Sequence, residues 1–130
     1  MEGNIRTFNT TALAYLGDAV YEVRVRRMLL ERGPLNVDKI HKTAVRYVSA
    51  SGQAKAVKRL MDGFLTEEEV KLVKRARNHR TSSRPRGSNP REYKLATGFE
   101  ALVGYLEVVG DFERLDEVFD EAVRTIEKEA

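Results

Sequence analysis

The chain has 130 residues, 42% hydrophobic and 33% charged, enough for one domain with a real core but too few for a separate substrate-binding module. It has no cysteine, which excludes a disulfide framework and thiolate metal sites and suits a cytoplasmic protein. Its formal charge of +3 hides an asymmetry: from Lys71 to Lys94 nine bases face the single Glu92, a net of +8, whereas from Asp111 onward eight acids face three bases, a net of −5.

Met1-Glu2-Gly3-Asn4-Ile5-Arg6 lacks the basic-then-apolar order of a secretory leader, and later apolar runs are broken by charges well short of membrane-spanning length. A soluble, unprocessed protein with no membrane contact is expected. Apolar residues recur at spacings of three and four almost throughout, so the expected fold class is all-α, a helical bundle formed by residues 1–130 as a single domain. The first helix should begin at Thr10 or Thr11, capped by their hydroxyls, and end near Glu31 before Gly33-Pro34. Its apolar face should carry Leu13, Leu16, Val20, Val23 and Leu30.

A second helix fits Val37 to Val48 behind Asn36, and Ser49 can cap a third through Gln53, Ala54, Val57 and Leu60, although Gly52 weakens its start. Thr66-Glu67-Glu68-Glu69 reads as a capping box, with Lys74, Arg75 and Arg77 toward the opposite end of that helix. From Asn78 to Arg91 the pattern gives way to turn formers and bases without an apolar anchor, a long mobile basic loop. Helicity should resume around Glu92 and run to Gly110, and a last amphipathic helix should start at Asp111.

Within the first helix, Leu13 to Glu22 is an apolar run that carries Gly17, Asp18 and Glu22. At about 100° per residue, Asp18 and Glu22 lie roughly 40° apart around the axis. A glycine inside a helix costs roughly 1 kcal/mol relative to alanine, so Gly17 calls for a compensating close approach. Gly98 and Gly104, flanking Glu100, offer a matching thin face, and a crossing there would bring Asp18 and Glu100 together. Two carboxylates held together take up a proton unless a divalent cation neutralises them, and Mg²⁺ suits oxygen ligands completed by water and substrate phosphate. The alternative is that both are exposed helix acids paired with Lys or Arg.

His41 and His79 form no helical metal pair, and no nucleophile-elbow or phosphate-loop motif is present. His41 reads as a partly buried polar residue and His79 as part of the basic strip. Tyr15, Tyr21, Tyr47 and Phe99 read as packing residues. A strip of one sign, rich in arginine, points to phosphate contacts with a nucleic acid or another polyanion.

Leu16-Gly17-Asp18-Ala19-Val20 resembles the signature helix of the ribonuclease III family, and Phe99-Glu100-Ala101-Leu102-Val103-Gly104 resembles that family's second acidic motif. His41, Tyr47-Val48-Ser49-Ala50, Gln53-Ala54 and Thr97-Gly98-Phe99-Glu100-Ala101-Leu102 are similar to the short Mini-ribonuclease III branch, which has the catalytic domain and no double-stranded-RNA-binding domain. The larger family carries a Glu four residues before its Asp and an Asp three residues before its Glu; those positions here are Ala14 and Thr97. The matched acids are therefore Asp18 and Glu100.

The resemblance implies a homodimeric endoribonuclease that cuts double-stranded RNA in maturation of the large-subunit (23S) ribosomal RNA precursor. It implies dependence on Mg²⁺, with Mn²⁺ as a substitute. On this reading Asp18 and Glu100 are catalytic and metal-binding, and Glu22 is a possible outer-shell ligand or a structural partner. Lys74, Arg77, Arg80, Arg84, Arg86 and Arg91 would bind RNA. The alternative is a catalytically inactive RNA-binding or ribosome-associated member of the same fold.

Overall fold

The computed structural model describes residues 8–33, 36–79 and 87–128. Among them are six helices and no strand: α1 Thr10–Arg32, α2 Val37–Val48, α3 Ala50–Met61, α4 Glu67–Asn78, α5 Pro90–Val109 and α6 Phe112–Lys128. The all-α class is as read from the sequence. The basic loop falls largely on residues 80–86, which lie outside the described residues together with Arg80, Arg84 and Arg86.

Local chemistry sets most boundaries. Asn36 caps α2 by accepting from the Lys39 N–H, Ser49 caps α3 by accepting from Gly52, and Thr66 with Glu69 forms both halves of the capping box of α4. Each such cap contributes about 1 kcal/mol. Two starts differ from the sequence reading. Asn9, not a threonine, caps α1, and Thr10 is buried in its first turn. Asn89 caps α5 by accepting from Arg91 and Glu92, and Pro90 occupies the first helical position, where its missing N–H has no partner to lose and its fixed φ suits the helix.

Helix α5 is the centre of the bundle, packed chiefly on α1, α4 and α3. Phe99 and Tyr21 are fully buried edge to face, 4.9 Å between ring centroids, and Phe119 of α6 meets Tyr21 from another side. The Tyr21 hydroxyl donates to the Tyr47 carbonyl at 2.9 Å, so this deep ring has its polar end satisfied. Burial pushes that phenol far above its ordinary range.

The buried stripe of α1 is Leu13, Ala14, Gly17, Tyr21, Val25 and Leu29. Val23 and Leu30, expected inside, are more than half exposed. The contact with α5 is made through Gly17, which admits its backbone, and with that side of α1 turned inward Val23 and Leu30 face outward. His41 is likewise exposed, not partly buried, and Tyr15 is 86% exposed, unlike Tyr21, Tyr47 and Phe99.

Four glycines report how closely the helices approach. A Cβ at Gly17 would overlap the Glu100 carbonyl and crowd the Gly104 N–H, and one at Gly104 would overlap the Leu13 carbonyl. A Cβ at Gly52 would strike the Arg46 carbonyl, which explains a glycine in the first turn of α3. Gly98, expected to face α1, lies against Val73 of α4 instead.

Outside this centre, Arg114 of α6 grips Glu69 with two bonds of 2.8 and 2.9 Å and donates to the Phe64 carbonyl at 3.1 Å. These bonds hold Glu69 ionised and its pKa below the usual carboxylate range, despite burial pushing the other way. Glu127 accepts from Arg32 at 2.6 Å and from the Tyr47 hydroxyl at 2.7 Å, joining the ends of α1, α2 and α6.

Gly17→Ala should cost about 2–4 kcal/mol of unfolding free energy, because the blocking atoms are backbone and cannot rotate away. Urea denaturation measures it; a loss under about 0.5 kcal/mol would mean that the crossing relaxes.

Candidate active site

The acid pair forms at the crossing. Asp18 follows Gly17 on α1, and Glu100 lies one turn before Gly104 on α5, so the contact that removes two Cβ atoms places the two carboxyl groups in hydrogen-bond contact. Asp18 is exposed, whereas Glu100 is partly covered. Burial, then the charge of Asp18 and the hydrogen bond with it, push the Glu100 carboxyl up to about 8. The Gln53 amide opposes them, donating to Glu100 Oε2 at 3.2 Å.

Around the pair is a pocket of about 200 Å³. Helix α1 contributes Thr11, Ala14, Tyr15 and Asp18, the end of α4 contributes Ala76, Arg77 and His79, and α5 contributes Tyr93, Lys94, Thr97 and Glu100. These positions follow helical spacing on both long helices, so each presents one continuous face. Ala14 and Thr97, the two positions without the family's acids, lie in the same pocket as the two acids that remain. Thr97 donates its hydroxyl to the Tyr93 carbonyl at 3.0 Å, leaving its oxygen able to accept.

Of the basic residues singled out in the sequence, Arg77 lines the pocket; Lys74 is exposed on α4, and Arg91 is exposed in the first turn of α5. Lys94 and His79 also line it, although neither was named as a ligand contact. The clue to Lys94 was its place in the row Lys94, Thr97, Glu100, whose successive i,i+3 steps make each a neighbour of the next on the helix surface. Gln53 had no such signal, since nothing local marks a glutamine on α3 as a neighbour of Glu100.

Glu22 does not line this pocket. It pairs with Arg26 at 2.8 Å and borders an α1/α2 groove with Ile40, His41 and Val45. A larger groove, about 850 Å³ between α1 and α6, contains acids bonded across it to arginines, Asp116 to Arg24 and Glu127 to Arg32. Among the described residues, the acid pair of the smaller pocket forms no ion pair with a lysine or arginine, which distinguishes it chemically.

A family model described as the ribonuclease III domain matches residues 11–111, spanning both motifs and the whole pocket. The chain belongs to this family. It is 48% identical over 125 residues to the Mini-ribonuclease 3 of Symbiobacterium thermophilum, covering 96% of this chain and 95% of that relative. Mini-ribonuclease 3 of Brevibacillus brevis is 42% identical over 122 residues, covering 94% and 90% of the two chains. The crystal structure of a Fusobacterium nucleatum protein aligns with a TM-score of 0.81 at 29% identity, covering 95% of this chain and 98% of that one. The chain is thus an endoribonuclease of the Mini-ribonuclease 3 branch.

The raised Glu100 carboxyl has a measurable consequence. In metal-free protein the folded state keeps a proton to about pH 8 that an unfolded glutamate, with a pKa of about 4.3, has already released. This contribution to stability is complete below the unfolded value and is lost as pH rises through the folded one. Denaturation in chelator from pH 5 to 8.5 should therefore show falling stability, and Glu100→Gln should remove part of the fall. An unchanged slope in the variant would assign the decline elsewhere.

Proposed function

We propose that the chain is a divalent-cation-dependent endoribonuclease of double-stranded RNA, with Asp18 and Glu100 as its catalytic and metal-binding carboxylates. The supporting observation is the pocket that collects these acids, the positions 14 and 97, and the bases Arg77 and Lys94.

The donor set fits Mg²⁺, or Mn²⁺ in its place. It is all oxygen, and its two carboxylates repel when ionised. Among the described residues no group of three or more His, Cys, Asp or Glu side chains could hold a metal, so an ion that keeps much of its water shell suits the site. When bound, such a cation supplies positive charge to the scissile phosphodiester and activates water for in-line attack. Asp18 and Glu100 hold and orient these participants. Arg77, Lys94 and His79 line the same pocket, where they can hold flanking phosphates, while Lys74 and Arg91 extend the basic surface. Arg80, Arg84 and Arg86 are assigned to RNA binding from the sequence alone. Because A-form RNA hides its major groove, such contacts read shape and charge.

A homodimer provides one site for each strand of a duplex, the two-fold axis of the protein matching that of the RNA. Exposed Tyr15, Val23 and Leu30 on α1, with Val37 and Val45 on α2, supply apolar surface for a self-contact. We assign the large-subunit ribosomal RNA precursor as the substrate, processed in the cytoplasm by this one catalytic domain. No described helix is long and apolar enough to cross a membrane.

Asp18→Asn and Glu100→Gln should each abolish cleavage of duplex RNA while leaving its binding in place, measured by gel assay and by filter retention with Mg²⁺. Cleavage at the wild-type rate in either variant would refute the assignment, and stable binding without product in the wild-type protein would favour the inactive binder. Replacing Arg77 and Lys94 together with alanine should lower the magnitude of the log K against log salt slope by about 2, one for each phosphate contact.

A further inference from the structure

Gln53 is 2% exposed on α3, in a layer otherwise made of Ala54, Ala56, Val57 and Leu60. Its Nε2 donates to the Val48 carbonyl at 2.9 Å and to Glu100 Oε2 at 3.2 Å. The Val48 carbonyl can only accept, so it fixes which end of the amide is NH₂. The side chain therefore meets Glu100 as a donor, and a donor favours the ionised carboxylate.

The other end of the amide is unusual. Oε1 is buried and has no hydrogen-bond partner among the described residues. An unpaired buried acceptor costs about 1–3 kcal/mol, which an apolar side chain of the same size would avoid. Stability alone therefore does not explain a glutamine here. Its polarity is directed at Glu100, and α3, packed directly on α5, provides a rigid base for that contact.

We propose that Gln53 is a positioning residue that holds Glu100 Oε2 and so presents the carboxylate of Glu100 beside Asp18 for a divalent cation. This rests on the reading of Asp18 and Glu100 as the cation ligands. Gln53 touches neither the cation nor the RNA in this scheme; it acts through Glu100. Groups that orient a metal ligand in this way typically change metal affinity by about 10–100-fold when removed.

The test is Mn²⁺ binding to metal-free protein, followed by electron paramagnetic resonance, in wild type, Gln53→Met and Glu100→Gln. Gln53→Met should bind Mn²⁺ about tenfold more weakly while its urea midpoint stays close to that of wild type, because loss of the amide bonds is offset by removal of the unpaired Oε1. In cleavage assays it should need correspondingly more Mg²⁺, with KM for duplex RNA unchanged and kcat recovering at saturating Mg²⁺. Wild-type Mn²⁺ affinity in folded Gln53→Met, together with weakened binding in Glu100→Gln, overturns the positioning role alone. Undiminished affinity in Glu100→Gln overturns the metal reading and the positioning role with it. A measurement independent of any variant at 53 is the Gln53 side-chain NH₂ resonance of the wild-type protein. It should shift on Mg²⁺ titration as the site fills, and an unmoved resonance through saturation counts against the proposal.

Discussion

The structure depends on one contact, the backbone-to-backbone approach of α1 and α5 at Gly17 and Gly104. Neither helix could sit this close with a methyl group at these positions, since the Glu100 and Leu13 carbonyls occupy the space. Two glycines inside long helices each sacrifice about 1 kcal/mol of propensity. What offsets the loss is dense packing along the crossing, where Leu13, Tyr21, Phe99, Leu102 and Val103 are all nearly or fully buried.

The same contact sets the electrostatics of the site. A carboxyl group partly covered at a helix crossing beside a second carboxyl is unfavourable, and among the described residues no lysine or arginine forms an ion pair that relieves it. Contrast Glu69, which is buried, where two bonds from Arg114 and the capping contact with Thr66 keep the charge favourable. One acid is neutralised for stability. The other retains capacity for a positive charge from outside the chain, the condition a cation site requires.

The helix starts at 37, 50 and 67 were legible because their caps are local: Asn36, Ser49 and Thr66 each act on the N–H group three residues away. Asn9 and Asn89-Pro90 were as local, but threonines and a turn-rich loop beside them carried a competing signal. The pairing of Asp18 with Glu100 was legible because glycine marks close approach on both helices. Which glycines met was not, since Gly98 and Gly104 differ by six residues and face different neighbours, Val73 and Leu13. The outward turn of Val23 and Leu30, the exposure of His41 and the reach of Gln53 to Glu100 depend on how whole helices rotate against one another. Periodicity constrains that rotation only loosely when, as in α1, small residues pack better than large ones.

The charge asymmetry also takes on a different meaning once the helices are in place. The acidic C-terminal segment, net −5 from Asp111 onward, is partly consumed in ion pairs with the chain's own arginines: Asp116 holds Arg24, Glu117 holds Arg114, and Glu127 holds Arg32. Helix α6 thereby draws arginines of α1 to the side away from the pocket, while the face of α1 toward α5 keeps its acid. Arg77 and Lys94 come from the segment that has almost no acids of its own, and they border the Asp18–Glu100 pocket. A uniform mixture of charges along the chain would have paired these bases locally, as Lys71 is paired with Glu68 one turn away. Separation of sign along the sequence thus becomes separation of role in space, with acids of α6 fastening the bundle and bases of α4 and α5 placed beside the acid pair.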